Sequence, residues 1–260
     1  MPRIYPLFSS SKGNCTYIGS TKEGILIDCG VSCKRLCAAL ELSGLSINAV
    51  KGIFITHEHI DHIRGLAVTT KKKPIPVYAN ADTLDVLSSK NALSFQGCDI
   101  TGSVKLGGMT VTPFPTSHDA VSPCGYRIDF DSGEYCCTCT DLGVVTDKVK
   151  AALKGADAVL LEANYDEQML REGDYPVELK QRIRSEYGHL SNSDSGKFAA
   201  KLVAGGTTRI ILGHLSQENN TPQTAADTVT DILSDHGFTI NKDYILTCAP
   251  VETSGGYVSF

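Results

Sequence analysis

The segment His57-Glu58-His59-Ile60-Asp61-His62 sets three imidazoles and two carboxylates within six residues, directly after the apolar run Gly52-Ile53-Phe54-Ile55-Thr56. Neutral imidazole nitrogens and carboxylate oxygens form a ligand set for zinc, manganese or iron. Ile63-Arg64-Gly65-Leu66 reads as a helix start, so the cluster occupies a strand-to-helix loop in which alternate side chains can fan toward one point. His57 and His59 are then available to one ion, Asp61 and His62 to a second. Two such ions lower the pKa of bound water, supply hydroxide near neutral pH and clamp the oxygens of an in-line displacement.

Other polar residues stand where apolar strands end: Asp28 after Gly24-Ile25-Leu26-Ile27, His118 in Thr116-Ser117-His118-Asp119, Asp141 after Glu134 to Thr140, Glu162 after Ala156 to Leu161, and His214 after Arg209-Ile210-Ile211-Leu212-Gly213. In α/β sheets the carboxyl ends of strands converge on a common crevice, so these groups are expected to meet there. Further strands are expected at Arg3 to Phe8, Cys15 to Ile18, around Val77 and Val104, at Met109 to Pro113 and at Tyr126 to Phe130. Helices are expected from Cys33 to Leu42, Asp82 to Ser88, Thr146 to Leu153, Ser193 to Ala204 and Thr221 to Ser234. Ser191-Asn192-Ser193 supplies cap candidates. Asp166 to Tyr187 reads as a polar, helical insertion. The elements form two α/β halves, the first closing with the Met109 strand. No linker separates them, which predicts one domain over residues 1–260, with two sheets face to face and helices outside both.

The chain has 260 residues and ten cysteines, and its N-terminus does not resemble a secretory signal. Reduced thiols and a cytoplasmic location follow as expectations. Cys29, Cys33 and Cys37, spaced i, i+4, i+8, read as buried small hydrophobes, not a further metal site; Cys136, Cys137 and Cys139 read likewise. No run approaches the ~18 apolar residues of a membrane span. A net charge of −5 disfavours nucleic acid on a whole-chain view, yet bound divalent ions reverse the local sign. Of two basic clusters, Lys71-Lys72-Lys73 reads as a solvated face. Lys180, Arg182 and Arg184 are candidates to track a strand's backbone.

The order Asp28, His57-x-His59-x-Asp61-His62, His118, Asp141, His214 resembles the metallo-β-lactamase fold superfamily over nearly the whole chain. The resemblance implies a four-layer αββα sandwich of two mixed β-sheets with a two-metal site at one edge. It gives His57, His59 and His118 to one ion, Asp61, His62 and His214 to the other, Asp141 to both, and makes Asp28 a hydrogen-bonding partner that orients a ligand. The zinc lactamases carry a cysteine where this chain has Asp141. Cys139 is offset by two positions, which argues against that branch. Glu162-Ala163-Asn164 and Gly188-His189-Leu190-Ser191-Asn192 look like elements of RNase Z. That likeness implies that His189, with Glu162, protonates the leaving oxygen after attack by a hydroxide between the ions, with Asp61 in the catalytic set.

Closer still, Ser9-x-Ser11-x-Gly13-Asn14, Ser117-His118-Asp119-Ala120, Thr140-Asp141-Leu142-Gly143, the Gly188 motif and His214-Leu215-Ser216-Gln217-Glu218-Asn219-Asn220 resemble the YycJ/WalJ family of bacterial metallohydrolases. Its members are similar to 5′→3′ exonucleases acting on DNA, with a part in repair or replication. The implied partner is nucleic acid, DNA first. Ser11, Gly13, Asn14, Ser191, Asn192, Ser216 and Asn220 are the expected substrate contacts. Ser10 and Lys12 depart from the smaller residues expected in the first loop, and Lys12 would suit a phosphate. Two rivals stand beside this reading. One is a small-substrate metallohydrolase of the glyoxalase-type thioesterases, which share the seven ligands. The other is a non-catalytic, metal-stabilised regulatory protein, disfavoured because closed structural zinc sites are commonly rich in cysteine.

Overall fold

Short apolar runs without alternation must be covered on both faces, and that requirement sets the architecture. The computed structural model describes residues 1–90 and 96–260. Its first stretch contains β1 (Arg3–Phe8), β2 (Cys15–Gly19), β3 (Gly24–Ile27), α1 (Cys33–Leu42), β4 (Val50–Phe54), α2 (Ile60–Ile63), α3 (Leu66–Lys72), β5 (Val77–Ala79), α4 (Ala81–Lys90) and β6 (Gly97–Asp99). Next come β7 (Val104–Leu106), β8 (Met109–Pro115), β9 (Cys124–Phe130), β10 (Tyr135–Cys139), α5 (Asp147–Leu153) and β11 (Ala158–Glu162). The chain closes with α6 (Glu167–Glu172), α7 (Val177–Ile183), α8 (Asn192–Ala204), β12 (Arg209–Gly213), α9 (Pro222–Asp235), β13 (Ile245–Cys248) and β14 (Val258–Ser259).

The strands form two seven-stranded sheets, ordered β14-β1-β2-β3-β4-β5-β6 and β13-β12-β11-β10-β9-β8-β7. Both are mixed. Antiparallel pairing joins β14 through β3, and parallel pairing continues to β6. The second sheet runs parallel from β13 to β10 and antiparallel from there to β7. Ile4, Ile18, Ile25 and Phe54 of the first sheet pack against Val111, Ile128, Leu160 and Ile211 of the second. Leu26 and Ile53 on the opposite face lie under Leu36 and Leu66 of α1 and α3. Val159 and Leu161 lie under Val149, Phe198 and Val229 of α5, α8 and α9. This is the expected αββα sandwich.

Two details depart from expectation, and the polar insertion is helical as expected. β7 and β8 belong to the second sheet, not the first half, because β8 pairs with β9 from Met109↔Phe130 to Pro115↔Cys124. β14 returns to the first sheet, with Arg3 opposite Ser259. The polar insertion is two short helices, whose Leu170 and Ile183 share a small apolar cluster with Tyr165. The cysteines behave as expected except Cys37, expected to be buried and only partly so. All ten are free, Cys29 and Cys33 are buried, and burial pushes the Cys29 thiol up to about 12. Among the described residues, no metal-competent group includes a cysteine, and no helix is long and apolar enough to cross a membrane.

Three segments are woven together at the sheet edge that carries the histidines. Asn14 N donates to Asp61 O at 2.8 Å, Gly30 N to Asn14 O at 2.9 Å, Cys29 N to His62 O at 2.8 Å and Gly65 N to Cys29 O at 2.9 Å. Backbones this close leave no room for a side chain. A Cβ on Gly30 would stand 1.6 Å from Asp61 O, and one on Gly65 1.7 Å from Val31 O. Gly30→Ala and Gly65→Ala should each force the histidine loop outward, costing about 2–3 kcal/mol, within the usual range for overpacking. Thermal unfolding together with metal content checks this; a variant with unchanged melting and full metal load contradicts the role given to these glycines.

Candidate metal centre and active site

His57 Nε2 lies 3.1 Å from His59 Nδ1, which lies 3.3 Å from His118 Nε2. Ligand nitrogens about 2.0–2.1 Å from a tetrahedral zinc stand about 3.3 Å apart. The outer nitrogens explain why such contacts are not ordinary hydrogen bonds. Thr56 Oγ1 donates to the Asp28 carboxylate, so it can only accept from His57 Nδ1, at 2.9 Å. His118 Nδ1 faces the Gly188 carbonyl at 3.1 Å, so its proton sits there. Both inner Nε2 atoms are therefore bare lone pairs converging on one point.

A second convergence lies beside the first. His62 Nδ1 donates to Asp28 Oδ2 at 2.7 Å, turning Nε2 inward to 3.5 Å from both Asp61 Oδ2 and Asp141 Oδ2. His214 Nδ1 donates to Glu162 Oε1 at 2.8 Å, and its Nε2 stands 3.8 Å from Asp61 Oδ2. Asp141 Oδ2 and His214 Nε2 are buried without a hydrogen-bond partner among the described residues. Buried polar atoms left without partners are costly, and a cation taking the place of the His214 proton would join both. His57/His59/His118, Asp61/His62/His214 and His57/His62/Asp141 each bring their ligand atoms within 4.8 Å of one another. Tethering the outer ring nitrogen while the inner one stays free is the usual second-shell arrangement of metal-ligating histidines. The donor set fits divalent cations.

The backbone is held in unusual conformations at the same points. Asp28, Asp141 and His214, at the ends of β3, β10 and β12, have φ of 63°, 59° and 55°. Left-handed conformation costs a non-glycine residue about 1–2 kcal/mol, and such strain gathers where side chains must be aimed.

Glu162 ends β11 and is fully buried. Its Oε1 accepts from Nδ1 of both His189 (2.9 Å) and His214 (2.8 Å); its Oε2 accepts from the N–H groups of Leu142 (3.1 Å) and Leu190 (3.0 Å). Burial alone would raise its pKa, but His189 and His214 outweigh burial and hold it well below the usual carboxylate range. The His189 side chain keeps 16% of its surface exposed, against 0% for His62 and 3% for His214. Its ring stands 5.1 Å from that of His118 and 5.2 Å from that of His214. Its Nε2 has no hydrogen-bond partner among the described residues.

Residues 23–215 match the beta-lactamase superfamily domain. Exodeoxyribonuclease YycJ of Bacillus anthracis is 37% identical over 92% of this chain and 91% of its own length. The chain belongs to the YycJ/WalJ family of metallo-β-lactamase fold hydrolases. Exodeoxyribonuclease WalJ of Streptococcus pneumoniae serotype 2 is 35% identical, over 92% of this chain and 90% of its own. Among solved structures, the metallo-β-lactamase fold protein YhfI from Bacillus subtilis superposes with a TM-score of 0.72 at 17% identity, covering 97% of both chains. The short form of human tRNase Z does so at 0.60 and 19% identity, covering 84% of this chain and 93% of its own.

Several side chains expected to touch substrate in this hydrolase are spent on the scaffold. The Asn14 amide donates to Ser10 O, lies 3.2 Å from Asp61 Oδ2 and accepts from Ser10 N, so it steadies Asp61. Gly13 N–H donates to Ser10 O, and a Cβ there would strike Val31 at 2.6 Å. Ser191 caps α8 through Asp194 N. Asn192 and Asn220 are buried and bond each other amide to amide at 3.0 and 2.8 Å. Ser216 Oγ accepts from Glu218 N and Asn219 N in a turn. Only Ser11 and Lys12 of the first loop are exposed. Lys180 staples α7 to the carbonyls of Arg171 and Gly173, and Arg182 pairs with Asp119 at 2.6 Å; Arg184 is exposed.

Three supporting residues were not singled out as supports from the sequence. Thr56 ties Asp28, His57 and His62 together; Asn164 donates to His214 O at 2.8 Å; Ser9 Oγ accepts from His214 N at 2.8 Å. Thr56 was findable as the hydroxyl directly preceding the histidine motif.

Burial, reinforced by His62, His118 and His59, pushes His57 well below the usual imidazole range, so its lone pair is free at neutral pH. Burial also lowers His62 and His214, but Asp28 and Asp141 overturn it for His62. Asp141, with Asp61 and Glu162, holds His214 up to about 10. Both rings are thus biased toward the protonated form, and a metal must displace that proton. Titrating chelator-stripped protein with zinc at pH 7 should release about two protons, read as a heat that varies with buffer ionisation enthalpy; a buffer-independent heat contradicts this. Since protons compete, affinity falls as pH drops. Asp28→Asn, which removes the charge behind His62, should weaken metal binding by roughly 10–100-fold, the usual second-shell cost.

Proposed function

We propose that this hydrolase cleaves phosphodiester bonds in DNA, as a cytoplasmic exonuclease working from the 5′ end in repair or replication, with the whole chain acting as one domain. The observation that carries the reading is the Glu162 carboxylate, shared between His214 of the metal cluster and His189 at its solvent-facing rim. It ties the group that would deliver a proton to the group that would hold an ion, in one fixed geometry. The names of the two relatives, both exodeoxyribonucleases, support the substrate class.

In this reading His57, His59 and His118 hold one ion, Asp61, His62 and His214 another, and Asp141 reaches both. Zinc, manganese or iron suits these donors, and when bound they make hydroxide available near neutral pH and take up charge on phosphate oxygens. Asn14 fixes the Asp61 carboxylate, and Asp28 with Thr56 fixes His57 and His62. His189, anchored through Nδ1, presents Nε2 to the departing oxygen as general acid. Glu162 fixes that ring and stays ionised while it acts.

The rim favours a nucleotide over a small thioester. Ile60, Val121, Val144 and Tyr187 expose 61%, 55%, 40% and 61% of their surface, each within three residues of His59, His118, Asp141 or His189. Their loops are linked. Glu58 Oε1 accepts from Val121 N at 2.9 Å, Gly143 N donates to Ser117 O at 2.8 Å, and Asp119 N donates to Tyr187 O at 3.1 Å. Exposed apolar side chains on linked loops, one of them aromatic, suit the flat face of a base, where stacking contributes about 1–3 kcal/mol.

Incubating end-labelled single- and double-stranded DNA and RNA with manganese- or zinc-loaded protein tests the proposal. Mononucleotides should leave the 5′ end of DNA. His62→Ala should abolish this, and His189→Ala should lower kcat by about 10²–10⁴-fold, the usual contribution of a general acid. Thioester turnover without DNA cleavage, or full activity in His62→Ala, would end the nuclease reading. Tyr187→Ala should raise KM for DNA about tenfold, in line with one lost stack, with kcat little changed.

A further inference from the structure

A groove lies between α5 and α8. One end is formed by Val144, three residues after Asp141, and by Leu190, next to His189. It has a volume of about 320 Å³ there and continues past Lys154 to Gly205. Lys150 and Lys154 stand one turn apart on α5 and its C-terminal boundary; Lys197 and Lys201 stand one turn apart on α8. All four line the groove and are exposed. Phe198, between the two rows, is 5% exposed and forms an apolar floor.

The charge balance is local. With Lys148, these two helices and their ends carry five lysines against two aspartates, Asp147 and Asp194, in a chain whose net charge is −5. Lys150 pairs with Asp147 at 2.8 Å and Lys197 with Asp194 at 3.1 Å, both within one turn and with every partner at least 46% exposed, where solvent screens them. Lys154 and Lys201 have no ion pair among the described residues.

We infer that this groove holds the phosphate backbone of the single strand whose end occupies the metal cluster. The inference rests on the phosphodiesterase reading above and adds where the rest of the polymer lies. α8 spans 13 residues, or about 20 Å at 1.5 Å per residue, enough for a few nucleotides. Lysines one turn apart give about 6 Å between successive contacts, a spacing a phosphate backbone can follow. The groove has the capacity of a small-ligand pocket, the scale of a single strand. The apolar floor lets bases or sugars lie inward while phosphates face the lysines.

The test compares single-stranded DNA from 2 to 20 nucleotides in the metal-loaded enzyme. The wild type should gain in kcat/KM with length until the groove is filled. Lys154→Gln/Lys201→Gln should abolish most of that gain and flatten the salt dependence of binding by about 0.7 per lysine in log–log slope. Lys154→Arg/Lys201→Arg should restore both. Dinucleotide cleavage, too short to enter the groove, reports whether the double variant is folded. A length advantage and salt slope that survive the Gln substitutions overturn the groove. A wild-type enzyme that cleaves no strand of any length overturns the nuclease reading instead.

Discussion

Four carboxylates, Asp28, Asp61, Asp141 and Glu162, crowd one edge of the sandwich, and none of their side chains is more than 16% exposed. Buried charge is tolerable only when it is paired and hydrogen-bonded. Here the pairing is done by imidazoles; His57, His62, His118 and His214 are clamped through their outer nitrogens, and the inner atoms are left facing one another. The rest of the structure answers this constraint. Three strands end in left-handed residues to aim Asp28, Asp141 and His214, and two glycines let backbones meet almost in contact. Thr56, Asn14, Ser9 and Asn164 supply the remaining hydrogen bonds. A crevice satisfied on its outside and unsatisfied within is poised for cations.

Glu162 shows how stability and chemistry share one group. Its four donors come from β10's following loop, from the segment before α8, and from two histidines with different duties. Removing its charge would unseat both loops as well as both rings, so its loss is structural and catalytic together. His189 differs from the other rings of the cluster in one respect that matters. It is tethered at Nδ1, yet its other nitrogen faces solvent, so the same carboxylate that locks a buried ring also aims an exposed one.

The histidine motif and the strand-end acids were legible because their spacing follows from chain geometry: a strand delivers its last residue to the sheet edge, wherever the sheet lies. Membership of a sheet was not. Nothing local distinguishes β8 as a strand of the second sheet, since its partner β9 is set by long-range pairing, and β14 is too short to announce its return to β1. The polar loops misled for a different reason. Asn14, Asn192 and Asn220 are residue types that both turns and ligand sites favour, and only the fold shows that their amides are already engaged. Tyr187 hid inside a polar insertion, and its exposure becomes meaningful only once His189 is seen two residues beyond it. The lysine rows on α5 and α8 lie some fifty residues apart in the chain and become one surface only through packing.

The acidic net charge then fits with a polyanionic substrate. An empty cluster, rich in carboxylates, repels phosphate, whereas one filled by divalent cations attracts it. Metal and strand therefore favour each other at the centre, and the coupling is necessarily reciprocal. The lysines on α5 and α8 are not part of that coupling, because their charge does not depend on the ions. A strand would thus be held along the helices by a constant field and at its end by one that exists only when the chemistry is possible. On the proposed reading, such a division would suit an enzyme that releases one nucleotide after each cut while keeping hold of the polymer: cleavage would change the contacts at the cluster and leave those in the groove unaltered.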